Sequence, residues 1–265
     1  MAAANSTIAA APFRKVEYLS PAAEVSMSDG YFQIAGTNHF WVRRRFQVLQ
    51  QLAGDIVSGA TEIAEMGCGH GLLQRQMEDG YGKAVTGFDL NEYGLQHNVS
   101  RISRVCCYDI HQKNEEFRNK FDLILLFDVL EHIPDEHGFV RSILFHLASK
   151  GRLVMSVPAG PWAYSAYDRA AGHVRRYSIG TLRETARNSG LELERWSYWG
   201  LPLIPTLALR KVLVGMKKDA AAIYSTGFDS RSTIMNGALG ALSRCEWIPQ
   251  KSLGTSLMAV LRREQ

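Results

Sequence analysis

A chain of 265 residues, 46% apolar and 21% charged, is long enough for one large α/β domain with an embellishment and excludes disordered or fibrous architectures. Its net charge of +4 is unevenly placed: residues 1–199 hold 21 Lys/Arg against 22 Asp/Glu, a balance of −1, and residues 200–265 hold 9 against 4, a balance of +5. The near-neutral body argues against a nucleic-acid surface, and the basic last quarter reads as a solvated helix face or as contact for an anionic partner.

The first residues, Met1-Ala-Ala-Ala-Asn-Ser-Thr7, lack the basic start and apolar core of a secretion signal and read as a frayed tail. The stretch 38–52 carries Phe40, Val42, Phe46, Leu49 and Leu52 near helical spacing, with Asn38 as its expected N-cap. From residue 61 a strand-then-helix unit repeats. Strands are expected at 62–66, 84–88, 104–108, 121–127 and 151–157, and helices near 72–78, 92–98 and 136–148. A helix at 179–188 and a strand at 191–197 follow, and a final strand at 255–261 closes the chain. Short apolar strands alternating with helices predict a mostly parallel sheet covered on both faces. Between the last two strands lie helical patterns at 207–216 and 234–243. The apolar run 201–216 is broken by Pro202, Pro205, Arg210 and Lys211 and is too short to span a bilayer. The expected organisation is a tail with lid helices (1–60), a core (61–199), a helical cap insertion (200–254) and a final core strand (255–265).

The first strand runs into Gly67-Cys68-Gly69-His70-Gly71. Glycines between strand and helix let main-chain N–H groups approach a ligand that side chains would obstruct. Three acids then close successive strands: Asp89, Asp109 and Asp128. Asp89 is placed to accept two ribose hydroxyls, Asp109 to face an adenine amino group or to cap a helix, and Asp128 to border the crevice where strand order reverses. A nicotinamide-type loop expects a glycine at position 72, where this chain has Leu72. The cysteines Cys68, Cys106, Cys107 and Cys245 show no zinc or disulfide spacing, and Cys68 is read as a small wall residue. A reducing cytoplasm fits such cysteine usage.

Glu65-Met-Gly67-Cys-Gly69-His-Gly71 resembles motif I of class I S-adenosylmethionine-dependent methyltransferases. The segment from Phe121 through Asp128-Val-Leu-Glu131-His132-Ile-Pro-Asp135 resembles the strand-four region of their ubiquinone-biosynthesis-like branch, the type 11 methyltransferases. The resemblance covers 61–157 well. It implies a Rossmann-like, doubly wound α/β sheet of seven strands whose last runs antiparallel between the fifth and sixth, and S-adenosyl-L-methionine as cofactor. It implies a cofactor site of Glu65, Gly67, Cys68, Gly69, Gly71, Asp89, Leu90, Asp109, Ile110, Phe127, Asp128 and Val129.

Beyond the fifth strand, Val157-Pro-Ala-Gly-Pro-Trp-Ala-Tyr164-Ser-Ala-Tyr167-Asp168 and Gly172-His173-Val-Arg175-Arg176-Tyr177 mix aromatics with charge, as a pocket for a polar substrate does. This segment and His39-Phe-Trp41-Val-Arg43-Arg-Arg45 resemble a bacterial subgroup of the same family, with Tyr164 where that subgroup often has Trp. Substrate-binding candidates are His39, Trp41, Arg43, Tyr167, Arg176 and Tyr177. His132 and His173 are the candidate catalytic bases. With no paired ligand spacing in the sequence, no metal is expected. The expected partner is a small-molecule acceptor, anionic or lipid-linked, with oxygen, nitrogen and carbon nucleophiles all open. No nucleic acid is expected, 200–254 is read as an ordinary helical cap or dimer contact or as the segment that would touch a membrane surface, and the chain would work as monomer or homodimer.

Overall fold

The computed structural model describes residues 16–25, 36, 38–215 and 233–264. The tail at 1–15 and the basic pair Lys217–Lys218 lie outside the described residues. In chain order the elements are β1 (Glu17–Tyr18), α1 (Phe40–Gly59), β2 (Ile63–Met66), α2 (Leu72–Tyr81), β3 (Thr86–Asp89), α3 (Glu92–Gln96), β4 (Val105–Cys107) and β5 (Phe121–Phe127). Then follow α4 (Glu136–His146), β6 (Leu147–Pro158), α5 (Ala166–Ala170), α6 (Ile179–Asn188), β7 (Leu191–Trp199), α7 (Ile204–Gly215), α8 (Thr233–Leu242) and β8 (Ser256–Arg263).

The sheet order is β1-β4-β3-β2-β5-β6-β8-β7. Its first six strands pair in parallel, and β8 runs antiparallel between β6 and β7. The chain moves outward from β2 through β3 and β4, then returns to β5 on the other side of β2. A crevice therefore opens at the C-terminal ends of β2 and β5. The eighth strand is one more than the sequence predicts: Glu17 and Tyr18 pair with Cys106 and Cys107 at the sheet edge. Two residues are too few to carry a strand pattern, so this pairing is written by the exposed edge of β4 and not by local sequence.

β5 shows why the sheet is covered on both sides. Leu123, Leu125 and Phe127 pack with Leu49 and Leu52 of α1 and Leu73 and Met77 of α2. Ile124 and Leu126 face the other way, against Val140 and Ile143 of α4 and Leu182 and Ala186 of α6. Alternation sends successive side chains to opposite faces, and each buried Leu or Ile is worth about 1.5–3 kcal/mol. An aromatic knot closes one end of the core, with Phe88 at 5.2, 4.9 and 5.8 Å between centroids from Tyr108, Phe117 and Phe121.

α1 begins one residue later than the spacing predicts. His39, not Asn38, is the N-cap, its Nδ1 accepting from the Trp41 N–H at 3.3 Å. The insertion is tied to α1 through Glu246. Its carboxylate accepts from Arg44 Nη2 at 3.1 Å and from the Gly200 and Leu201 N–H groups at 2.8 and 2.9 Å. Among the described residues no helix is long and apolar enough to cross a membrane.

Candidate active site

β2 leaves the sheet through Gly67, Gly69 and Gly71, with φ of +76°, +51° and +77°. This left-handed backbone suits glycine because a Cβ would crowd the following carbonyl. A Cβ on Gly67 would also lie 2.3 Å from Val129 Cγ2, and one on Gly71 2.5 Å from the Asn98 amide. Asp89 fixes the turn from the next strand: its Oδ2 accepts from the Gly69 N–H at 2.6 Å, and its Oδ1 from the Leu90 and Asn91 N–H groups at 2.8 Å each. Burial raises the Asp89 carboxyl above its ordinary value against the pull of those three donors.

Glu65, buried within β2, is pushed up to about 8, first by burial and then by Asp89, with Arg45 working against both. Its Oε2 has no hydrogen-bond partner. A buried carboxylate oxygen without a donor, beside a cradle of glycine backbone, suits the cationic amino-acid end of a ligand. The residues therefore fit S-adenosylmethionine: Asp89 would face the ribose, and Glu65 and the loop the methionine end. Burial and the carboxylates of Asp89 and Glu65 hold the Cys68 thiol well above its usual range, so it lines the wall and is no nucleophile. Asp109 caps the short turn Ile110–Gln112, its Oδ1 accepting from the His111 N–H at 2.9 Å. Ile110 is buried beside it.

At the end of β5 the chain bends sharply. Asp128 sits at φ +56°, unusual for a residue with a side chain, and is ion-paired with Arg45 of α1. The Arg45 guanidinium also lies 4.9 Å from the Trp41 ring centroid and 5.2 Å from that of Phe127. Burial raises the Asp128 carboxyl and Arg45 opposes it. Glu131, in the turn Leu130–His132, is 1% exposed, and burial with Asp128 beside it drives its carboxyl well up. Next to it His132 is lowered to about 4, by burial first and His173 second.

The segment after β6 is organised by Asp168. Its Oδ1 lies 2.7 Å from Arg176 Nε and 3.0 Å from His173 Nδ1, and its Oδ2 accepts from the Ser165 N–H at 2.9 Å and the Ser165 hydroxyl at 3.1 Å. Burial would raise this carboxyl, yet His173 and Arg176 hold it down to about 2. The His173 ring meets His132 edge-on, centroids 4.8 Å apart. The two candidate bases thus come together at the crevice.

The substrate candidates divide. Arg176 is buried, bridging Asp168 and the Ala159 carbonyl, and the Tyr177 hydroxyl donates to Glu136 Oε2 at 2.5 Å. Both thereby fix the loop. Tyr167 is buried under the Arg210 guanidinium, 4.0 Å from its ring centroid. Trp41 packs on Trp199 at 5.5 Å, His39 caps α1, and Arg43 is exposed near α8. Sequence reasoning gave a role to Arg43 and none to Arg45, though the motif holds both. The signal was present: Arg45 stands at helical spacing from Val42, Val48 and Leu52 on the buried side of α1, where a cation needs a partner. It also missed Glu131, which meets His173 from another segment, and Asp168, although the Asp168 partners Ser165, His173 and Arg176 lie within eight residues of it.

Comparison with known proteins agrees with this geometry. A family model described as a methyltransferase domain matches residues 7–195. Ubiquinone biosynthesis O-methyltransferase of Glaesserella parasuis is 33% identical over 107 residues, 36% of this chain and 44% of that protein. Its counterpart in Bordetella pertussis is 24% identical over 174 residues, 54% of this chain and 66% of that protein. The chain thus spans less than half the length of the first. Among solved structures, a SAM-dependent methyltransferase from Archaeoglobus fulgidus has a TM-score of 0.52 at 14% identity, covering 88% of this chain and 98% of the other. The [4+2]-cyclase SpnF has 0.53 at 14%, covering 84% and 81%. These two show the fold alone. With the family model covering the loop, Asp89 and the β5 bend together, the chain belongs to the class I S-adenosylmethionine-dependent methyltransferases.

Proposed function

We propose that this enzyme methylates an oxygen of a small-molecule acceptor held where β5 and the loop after β6 meet. The observation that carries the reading is the convergence of Asp128, Glu131, His132 and His173 beside the glycine loop. The bound donor supplies a methyl carbon already activated by its sulfonium charge. What remains for the protein is alignment of nucleophile, carbon and sulfur, and help with loss of the hydroxyl proton. Glu65, Gly67, Gly69 and Asp89 would hold the donor, Asp128 with Arg45 would set the floor of the crevice, and the two imidazoles would face the acceptor. The names of the ubiquinone O-methyltransferases point to oxygen as the nucleophile. A panel of hydroxylated and aminated small molecules, assayed for acceptor-dependent S-adenosylhomocysteine, tests it. Turnover confined to amines, or no acceptor-dependent product at all, would sink the reading and favour the non-methylating chemistry that the cyclase shows this fold can host.

A second reading concerns where the acceptor resides. Leu209, Val212 and Leu213 of α7, Ile234 and Met235 of α8, and Trp247 are exposed, with Arg244 and Lys251 close in sequence. Apolar side chains with nearby basic ones suit the surface of an anionic bilayer and a lipid-linked acceptor. Flotation with anionic vesicles, lost in Trp247→Ala/Ile234→Ser, is the expected outcome. Failure to float in the parent chain, with dimerisation instead, would assign these helices to a contact between copies.

A further inference from the structure

Past β1 the chain stays on the sheet and bends over the C-terminal ends of β4 and β3. The Leu19 and Ser20 N–H groups both donate to the Cys107 carbonyl, at 2.9 and 3.1 Å, and the Ala23 N–H donates to the Leu90 carbonyl at 3.1 Å. Residues 19–23 are therefore a strap between the two strand ends that carry Asp109 and Asp89. The strap is anchored on both sides of the sheet. Val16 packs with Cys68, Leu90 and Cys107, and Leu19 packs against the core cluster that includes Ile110. At its start, Arg104 grips Glu17 through Nε at 3.0 Å and Nη2 at 2.7 Å. At its centre Ser20 is buried, and its hydroxyl oxygen accepts from the Asp109 N–H at 2.9 Å.

We infer that Ser20 is a positioning residue for adenine recognition and that 19–23 walls the adenosine half of the donor site. This rests on the reading of Asp109 as the acid that faces the adenine amino group. Asp109 stands just beyond β4, where its N–H has no further ladder partner, and Ser20 supplies the acceptor in place of a neighbouring strand. Its Oδ1 is taken by the His111 N–H at 2.9 Å, and among the described residues no donor reaches Oδ2. With its main chain held by Ser20 and one oxygen held by its own turn, the half-buried carboxylate can present the other oxygen in one direction. An exocyclic amine donates to that oxygen. A base with a carbonyl at the same position would set two acceptors against each other.

The test is calorimetry on the full chain with S-adenosylhomocysteine and with S-inosylhomocysteine, whose base carries a carbonyl where adenine has its amino group. The parent should prefer the adenine form by about tenfold or more. Ser20→Ala should weaken S-adenosylhomocysteine by about three- to tenfold and leave the inosyl form nearly unchanged, so the preference shrinks. Ser20→Thr, which keeps the hydroxyl, should keep the preference, and urea midpoints on each preparation report the fold. An equal loss for both ligands in Ser20→Ala would overturn the inference and make the strap a structural brace, and so would no loss for either. A threonine variant as impaired as the alanine one would assign the effect to packing. No preference in a parent that binds S-adenosylhomocysteine would remove Asp109 from the adenine, and Ser20's role with it. A preference that survives Ser20→Ala undiminished would leave Asp109 in place and remove Ser20 alone, so the two failures are separate.

Discussion

Glu65 shows how one side chain couples fold, ligand and pH. Its carboxyl sits at about 8 because β2 is covered on both faces, and Arg45 compensates only in part. A ligand ammonium placed beside it favours the ionised form, so binding below about pH 8 releases a proton. The affinity for S-adenosylhomocysteine should therefore climb as pH rises from 6, by up to tenfold per unit, and level off near 8. Glu65→Gln should flatten that rise, and calorimetry at several pH values reads it directly. A slope unchanged in the variant would remove Glu65 from the cofactor's cationic end. Gly67 makes the steric counterpart. Gly67→Ala must hold φ +76° and displace Val129, so stability should fall by about 1–3 kcal/mol and cofactor-product binding should weaken with it. Urea midpoints and calorimetry on the same preparation check both. The neighbouring positions divide by how local their signals are. The glycines and Asp89 were legible because one turn and one strand end define them. Arg45 was not, since its partner Asp128 belongs to a different element.

Among the elements, the loop between β6 and α6 depends on one buried anion. Asp168 accepts from Arg176, His173 and Ser165 together, so Asp168→Asn leaves the buried Arg176 guanidinium without a counter-charge. A loss on the order of 3–5 kcal/mol is expected, read as a lower urea midpoint. A change within error would show that the loop is held by its aromatics instead. The strands and helices of this half were mostly readable from pattern. β5 and α6 fall where apolar alternation and helical spacing place them, at Phe121–Phe127 and Ile179–Asn188. β6 was harder: it starts at Leu147, directly after α4, because Phe121 pairs with Leu147 before the register shift. A pairing partner across the sheet extends the strand beyond what its own residues announce. The two-residue β1 is the extreme of the same effect.

For the whole molecule, the uneven charge and the insertion belong together. The segment carrying the basic excess is joined to α1 through Glu246, whose side chain, like that of Arg44, is almost fully buried. Glu246→Gln weakens the ion pair and its acceptance from the Gly200 and Leu201 N–H groups. A destabilisation of about 1–3 kcal/mol is expected, together with faster proteolysis within 200–254 while the 61–199 core stays intact. Equal protection of the insertion in variant and parent would show that α8 on α1 suffices to hold it.

The sequence by itself determined the strand–helix alternation, the glycine turn after β2, and the acids Asp89, Asp109 and Asp128 at or just beyond the ends of β3, β4 and β5. These follow from residues a few positions apart, whose backbone preferences and periodicity act before the chain has folded. Only the tertiary structure decided that Arg45, not Arg43, enters the crevice, and that Arg176 and Tyr177 hold the loop. It also brought Glu131, His132 and His173 together. Those outcomes depend on which surfaces meet across the sheet edge, and burial then decides which charges must find a partner.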